Sequence, residues 1–266
     1  MQAQLLKYTD KCFSSLTTNL FDTKDNCTIE IIHKLRLNIK RLRTIFKILE
    51  YRMDKKIEFK VLEMIDRLFL YSGKLRDIQV QILLLKTFQN EIGEEVDIFI
   101  SIFKKEKKRI EKEVVRSLQI IDPFDIVLLN QRLDNSIEAL SDFSIETILQ
   151  VKTVELFNQI KAIINSEPNE KSLHRIRIML KELIYTLSVI KKGKNKFRFN
   201  PSIVASLKNL QQKLGEWHDL KVLFNKVESI KVESAKLAQI IEVDRNYLLT
   251  GILNDFKKVN EMSWYA

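Results

Sequence analysis

Apolar residues recur along this chain at intervals of three and four, the spacing that gathers them on one face of an α-helix. That spacing predicts a first helix from about Ala3 to Phe21, and a second that starts near Thr28, a suitable N-cap, and continues past Glu50. A third is expected over 56–71, closed by Ser72-Gly73, and a fourth over 74–91, punctuated by Gly93. The run K-K-E-K-K-R-I-E-K-E at 104–113 mixes both signs at one-turn spacing. It reads as a solvated helix face laced with weak ion pairs, in preference to a binding patch. Pro123 opens a segment reaching about Leu140, and S-D-F-S at 141–144 reads as a joint. Helical patterns follow at about 145–164, 169–192, 202–214, 216–230 and 234–258.

Composition strengthens this picture. Only three prolines and five glycines interrupt 266 residues that are 45% hydrophobic, enough apolar material for a sizeable core and one large domain or two small ones. Such scarcity of helix breakers implies an all-α protein and argues against a Gly-rich phosphate loop or a dinucleotide fold. Cys12 and Cys27 are too few for a disulfide framework, and M-Q-A-Q-L-L-K-Y-T-D lacks the features of a signal peptide. Apolar runs such as I-L-L-L at 82–85 are too short to span a bilayer. The expected setting is cytoplasmic.

The order of elements then repeats. H-K-L-R-L-N-I-K-R-L from His33 aligns with H-R-I-R-I-M-L-K-E-L from His174, and G-K-L-R-D-I-Q-V from Gly73 aligns with G-E-W-H-D-L-K-V from Gly215, at offsets differing by one residue. The chain therefore reads as two copies of one helical unit, about 1–120 and 144–266, joined by a connecting segment over 121–143. All three histidines, His33, His174 and His218, fall inside these motifs. A lone histidine is more often a satisfied packing residue; their shared register favours a functional role.

Charge is equally uneven. Residues 28–53 carry seven Lys/Arg against two Glu, and residues 168–199 carry nine against two, so these stretches hold +5 and +7 while the whole chain carries +10. At 100° per residue His33, Arg36, Lys40, Arg43 and Lys47 fall on one side of a helix, with Leu35, Ile39, Leu42, Phe46 and Leu49 opposite. The second copy repeats the stripe at His174, Arg177 and Lys181; it fades at Ile184 and Ser188 and resumes at Lys191. Duplicated helices are commonly related by a pseudo-two-fold axis, so the two cationic rows are expected to line a shared groove, which an anion would have to compensate.

Several chemistries drop out on residue grounds. His218-Asp219 resembles the H-D pair of metal-dependent phosphohydrolases, but its repeat counterpart is Arg76-Asp77, and a guanidinium cannot ligate a metal. That hydrolase reading is kept only as a distant alternative, and no metal or cofactor is expected. Neither cysteine lies in a repeated motif, and no duplicated pair of carboxylates is placed for acid–base work. Anion binding remains, with Arg supplying a planar fork, Lys a mobile point charge, and His a donor whose charge changes near neutral pH. Nucleic acid is disfavoured because Phe46 and Trp217 read as core residues and not as stacking platforms. Gly73 and Gly215 are expected to close one helix and let the next approach.

Taken together, H33-K-L-R-L-N-I-K-R-L-R43, G73-K-L-R-D-I-Q-V, H174-R-I-R-I-M-L-K and L214-G-E-W-H-D-L-K-V resemble the four motif blocks of the CHAD domain, the conserved histidine α-helical domain, over essentially the whole chain. The resemblance implies two pseudo-symmetric four-helix units around a basic central channel that binds inorganic polyphosphate. It further implies that His33, Arg36, Lys40 and Arg43 line that channel with His174, Arg177 and Lys181, joined by Arg76 and His218. Lys47 from the stripe and Lys221, one turn past His218, complete the candidate set. The second copy departs from the pattern at Ile184, where the first has Arg43. The family's members can be fused to a triphosphate-tunnel enzyme domain or associate with polyphosphate or polyhydroxyalkanoate granules. Here the two copies consume the sequence, so a non-enzymatic polyphosphate-binding module is expected. The alternative is a granule-targeting or protein-interaction module with a basic docking face.

Overall fold

The computed structural model describes residues 1–53, 60–166, 168–190, 200–230 and 235–263. Among them are nine α-helices and no strand: α1 (Gln2–Asp25), α2 (Ile29–Met53), α3 (Lys60–Ile92), α4 (Glu95–Gln119), α5 (Pro123–Glu138), α6 (Asp142–Asn165), α7 (Glu170–Ile190), α8 (Pro201–Ser229) and α9 (Ala235–Glu261). Among the described residues no helix is long and apolar enough to cross a membrane. By density of contacts the chain divides into two compact units, Met1–Ile82 with Ser101–Leu149, and Leu83–Ile100 with Gln150–Ala266.

Local chemistry accounts for several helix ends. The Thr28 hydroxyl accepts from the Ile31 amide (3.3 Å) at the start of α2, Asp122 caps α5 ahead of Pro123 (2.8 Å to the Phe124 amide), and Asn200 caps α8 ahead of Pro201 (3.0 Å to the Ser202 amide). At 141–144 the Ser141 hydroxyl accepts from the Ser144 amide (3.2 Å) at the head of α6. Gly93 stops α3 with φ +81°, a left-handed conformation that favours glycine, and its amide bonds back to the Gln89 carbonyl (2.9 Å).

Two expected breaks are absent. The segments expected at 56–71 and 74–91 belong, over their described residues, to the single helix α3, and those expected at 202–214 and 216–230 form the single helix α8. Gly73 and Gly215 therefore lie inside helices and close nothing. The reason is in the apolar stripe, which runs through each glycine without losing phase. In α3 it passes Val61, Ile65, Leu68, Leu75, Ile78 and Ile82, with the small buried Ser72 between, and in α8 Ile203, Leu207, Leu210, Leu214, Trp217, Leu220 and Leu223, all buried. A helix-interior glycine costs only about 1 kcal/mol, less than the burial of one such side chain.

In the first unit α1 packs along α2 and α5. Two buried asparagines set the α1–α2 register, Asn38 Nδ2 donating to Asn19 Oδ1 (2.7 Å). The Gln2 side-chain amide donates to the Glu138 and Leu140 carbonyls (2.8 and 2.9 Å) and reaches the Ile137 carbonyl at 3.3 Å, adding to the backbone bonds that close α5. Gln79 of α3 donates to the Cys27 carbonyl (2.7 Å), just ahead of α2. In the second unit α8 packs against α7 and α9. The Lys213 ammonium meets Asp255 of α9 (2.7 Å), and Lys152 of α6 meets Glu182 of α7 (3.3 Å), both in half-buried or buried surroundings. The charged run on α4 behaves as expected of a solvated face, with ion pairs Lys107–Glu111 (3.1 Å) and Arg116–Glu113 (2.7 Å).

Candidate anion-binding clusters

In the first unit α2 divides as its sequence dictates. Leu35, Ile39, Leu42, Phe46 and Leu49 are buried, while His33 and Lys47 are exposed and Arg36, Lys40 and Arg43 half-buried. α3 presents to this face a residue that no sequence motif singled out, Phe69. The guanidinium carbons of Arg36 and Arg43, two turns apart on α2, lie 4.2 and 3.9 Å from its ring centroid. The ring's negative face lets one aromatic carry two cations that would otherwise repel. Arg36 Nη1 also donates to the Phe69 carbonyl (2.6 Å) and approaches the Ser72 hydroxyl (3.4 Å).

This position of Arg36 explains Gly73. A Cβ built there would stand 2.8 Å from Arg36 Nη1. The close approach expected at this glycine is thus made by a side chain lying across the helix. Arg76, one turn on, is near enough to influence His33. Partial burial lowers the His33 imidazole pKa, and the charges of Arg76, Lys40 and Arg36 lower it further. His33, Arg36, Lys40 and Arg76 therefore share one electrostatic neighbourhood. Arg43 is drawn to one side by Asp66, whose Oδ1 lies 2.6 Å from Nη2. Lys47 sits about 21 Å along the helix axis from His33 at 1.5 Å per residue.

The second cluster uses different groups. His174 of α7 and His218 of α8 bring their ring centroids to 5.4 Å, inclined by 39°. The His218 pKa is pushed down to about 4, first by burial and then by Arg177, His174, Lys181 and Lys221. His174 is also lowered, by burial and then by Arg177, Lys181 and Lys221. Arg177, Lys181 and Lys221 therefore all act on the histidine pair. At neutral pH the imidazole of His218 is uncharged, and an added anion is what would let it take a proton.

Lys221 is not an open cation. Its Nζ lies 2.6 Å from Glu170 Oε2 at the first residue of α7, and Arg245 of α9 approaches the other oxygen at 3.9 Å. Trp217 is buried beneath, its ring centroid 5.6 Å from Lys221 Nζ, which bears out its core role; Leu75, its repeat counterpart, is buried too. Around Gly215 nothing approaches a built Cβ within 4 Å, so the second copy lacks the Arg36 clamp. Ile184 is half-buried where the first copy has Arg43. The continuation of the stripe at Lys191, with Lys192, Lys194, Lys196 and Arg198, lies outside the described residues.

Sequence reasoning missed Phe69, Asp66, Glu170 and Arg245. Phe69 had a faint signal, an aromatic one turn before a mid-helix glycine; the other three had none, since charged residues at helix surfaces are common. Among the described residues no group of three or more His, Cys, Asp or Glu is gathered as a metal would require. His218 instead has cationic neighbours, an environment that favours anions.

Comparison with known proteins concerns the chain as a whole. A family model described as the CHAD domain matches residues 7–225. The crystal structure of the CHAD domain from the plant Ricinus communis superposes with a TM-score of 0.75 at 17% identity, covering 100% of this chain and 93% of that one, which shows a common fold. No curated protein sequence matches the chain.

Proposed function

The chain belongs to the CHAD domain family, and from that premise and the two cationic clusters we propose that it binds inorganic polyphosphate without catalysing its conversion. One observation carries the reading: in each unit a motif face of one helix meets a motif side chain of the next. Arg76 of α3 acts on His33 together with Lys40 and Arg36 of α2, and His218 of α8 lies 5.4 Å from the His174 ring of α7 and feels Arg177 and Lys181. Like charges so assembled raise the energy of the folded chain, and a polyanion relieves the repulsion. Guanidinium and ammonium donors in a row match the repeating oxygens of a linear phosphate chain.

The shared basic channel and pseudo-two-fold relation expected from the duplicated motifs belong to this proposal, as does a cytoplasmic setting. Two clusters acting on one long chain would give avidity, so long-chain polyphosphate should bind far more tightly than pyrophosphate. Affinity should also fall steeply with salt as counterions are released. Lys40 and Lys181 are the sharper probes of this site, because Arg36 also supports α3. Replacing both by Glu should lower affinity for long-chain polyphosphate by roughly a hundredfold, about 1.4 kcal/mol for each tenfold, with the helical circular dichroism unchanged. A folded double variant that titrates like the parent in calorimetry would remove the proposed site.

A further inference from the structure

The second cluster contains an ion-pair bridge that the repeated motifs do not foresee. Glu170 stands at the head of α7, one turn before His174, and its two carboxylate oxygens reach two cations from two other helices. Oε2 lies 2.6 Å from Lys221 Nζ of α8, and Oε1 lies 3.9 Å from Arg245 Nη1 of α9. Lys221 follows His218 by one turn and is close enough to lower both imidazoles. The bridge is thus continuous with the histidine pair.

We propose that Arg245, which lies outside both motifs, is a phosphate-contacting residue of this cluster, and that the Glu170 carboxylate holds the anion position shared by Arg245 and Lys221 until a phosphate displaces it. The proposal rests on the polyphosphate reading and extends it to a third helix.

Three features support it. The carboxylate is hydrogen-bonded to the ammonium at 2.6 Å and stands 3.9 Å from the guanidinium, so an anion in its place would lie between two cations. Arg245 is held ready for that role: its side chain is 17% exposed, its guanidinium carbon lies 5.2 Å from the Phe224 ring centroid, and Nη2 is 3.5 Å from Glu242. Glu170, by contrast, is 55% exposed, so it can swing into water without leaving a buried charge behind. The Lys221 hydrogen bond, with the Lys221 and Arg245 charges, holds the Glu170 carboxyl below the usual range, so it stays anionic at neutral pH. Because the Glu170 end of the bridge is open to water, its attraction to the two cations is screened, and several phosphate contacts outweigh it.

The test titrates the full chain with long-chain inorganic polyphosphate by calorimetry at several salt concentrations, using Glu170→Gln, Arg245→Gln and Arg245→Lys. Glu170→Gln keeps the side-chain shape and removes the competing charge, so affinity should rise roughly two- to fivefold. Arg245→Gln should weaken binding by a similar factor and reduce the salt slope by roughly one. Arg245→Lys should retain most of the affinity, which separates charge from packing against Phe224. Unchanged affinity in either Glu170→Gln or Arg245→Gln, while Lys181→Glu still weakens binding, overturns this proposal and leaves the polyphosphate reading in place. A bridge that only staples α7 to α8 and α9 would give that result, with a lowered melting temperature in Glu170→Gln. Failure of the parent chain to bind polyphosphate overturns both.

Discussion

The two copies of the motif pair solve one electrostatic problem in different ways. In the first, permanent guanidinium charges are brought together over an aromatic ring: Arg36 and Arg43 share Phe69, and Gly73 makes room for Arg36. In the second, the residue aligned with Phe69 is Gln211, the residue aligned with Arg43 is Ile184, and the residue aligned with Arg76 is His218. There the charge is made adjustable, with two imidazoles 5.4 Å apart and a carboxylate lending its charge to Lys221. Position 79 and its counterpart 221 show the same divergence. Gln79 uses a neutral amide to hold the Cys27 carbonyl ahead of α2, whereas Lys221 holds the Glu170 side chain at the head of α7. The first copy stacks two guanidinium groups on one ring, whereas the second sets two imidazoles side by side among its Arg and Lys charges.

The largest expected effect is at the aromatic support. Phe69→Ala should cost about 2 kcal/mol of stability, less than a fully buried phenylalanine because the ring is half-buried. Gln211→Ala should stay within about 0.5 kcal/mol. Equal losses in denaturant melts would erase the distinction between the copies. Next come the matched lysines. Lys40→Glu and Lys181→Glu should each weaken polyphosphate binding by roughly tenfold, as expected for loss of a charge-assisted contact. A much smaller effect of Lys181→Glu, measured by calorimetry, would show that the second copy contributes little.

The glycines give a smaller and opposite pair. Gly215→Ala should raise stability by up to about 1 kcal/mol, since alanine is the better helix former and nothing crowds the new methyl. Gly73→Ala should lose that gain, because its methyl would stand 2.8 Å from Arg36 Nη1 and push the guanidinium from the Phe69 carbonyl. Identical melting shifts would refute the clamp.

A last test is pH dependence, to which all three histidines contribute, His218 with the largest shift. His218 titrates near 4 in the folded chain against an ordinary value of 6.5. Between those values the unfolded chain binds the extra proton, so this group's contribution to stability is complete above about 6.5 and is lost as pH falls towards 4. Binding has the opposite sign: a bound polyanion offsets the neighbouring cations, so affinity should rise as pH falls through the same window. His218→Gln should flatten both profiles, and a binding curve insensitive to pH in the parent would show that the imidazole does not face the ligand.

Much of the molecule was legible in the residue order because helical periodicity and capping are local. The ends expected at Thr28, Gly93 and Pro123 are fixed by bonds between residues only a few positions apart. The buried and cationic faces of α2 follow from the rotation of the helix alone, and the family follows from four motif blocks. At Gly73 and Gly215 local reasoning failed, because a weak helix breaker was outweighed by an apolar stripe that kept its phase on both sides.

Sequence by itself thus determined the helical class, the repeated motifs and which residue types carry the positive charge, since each depends on neighbours along the chain. Tertiary structure alone decided that Phe69 bears two guanidinia, that Asp66 takes up Arg43, and that Glu170 joins Lys221 to Arg245 across three helices. Those contacts join residues more than 20 positions apart, and their strength depends on ångström-scale distances and on exposure to water. Neither quantity is set until the helices have packed.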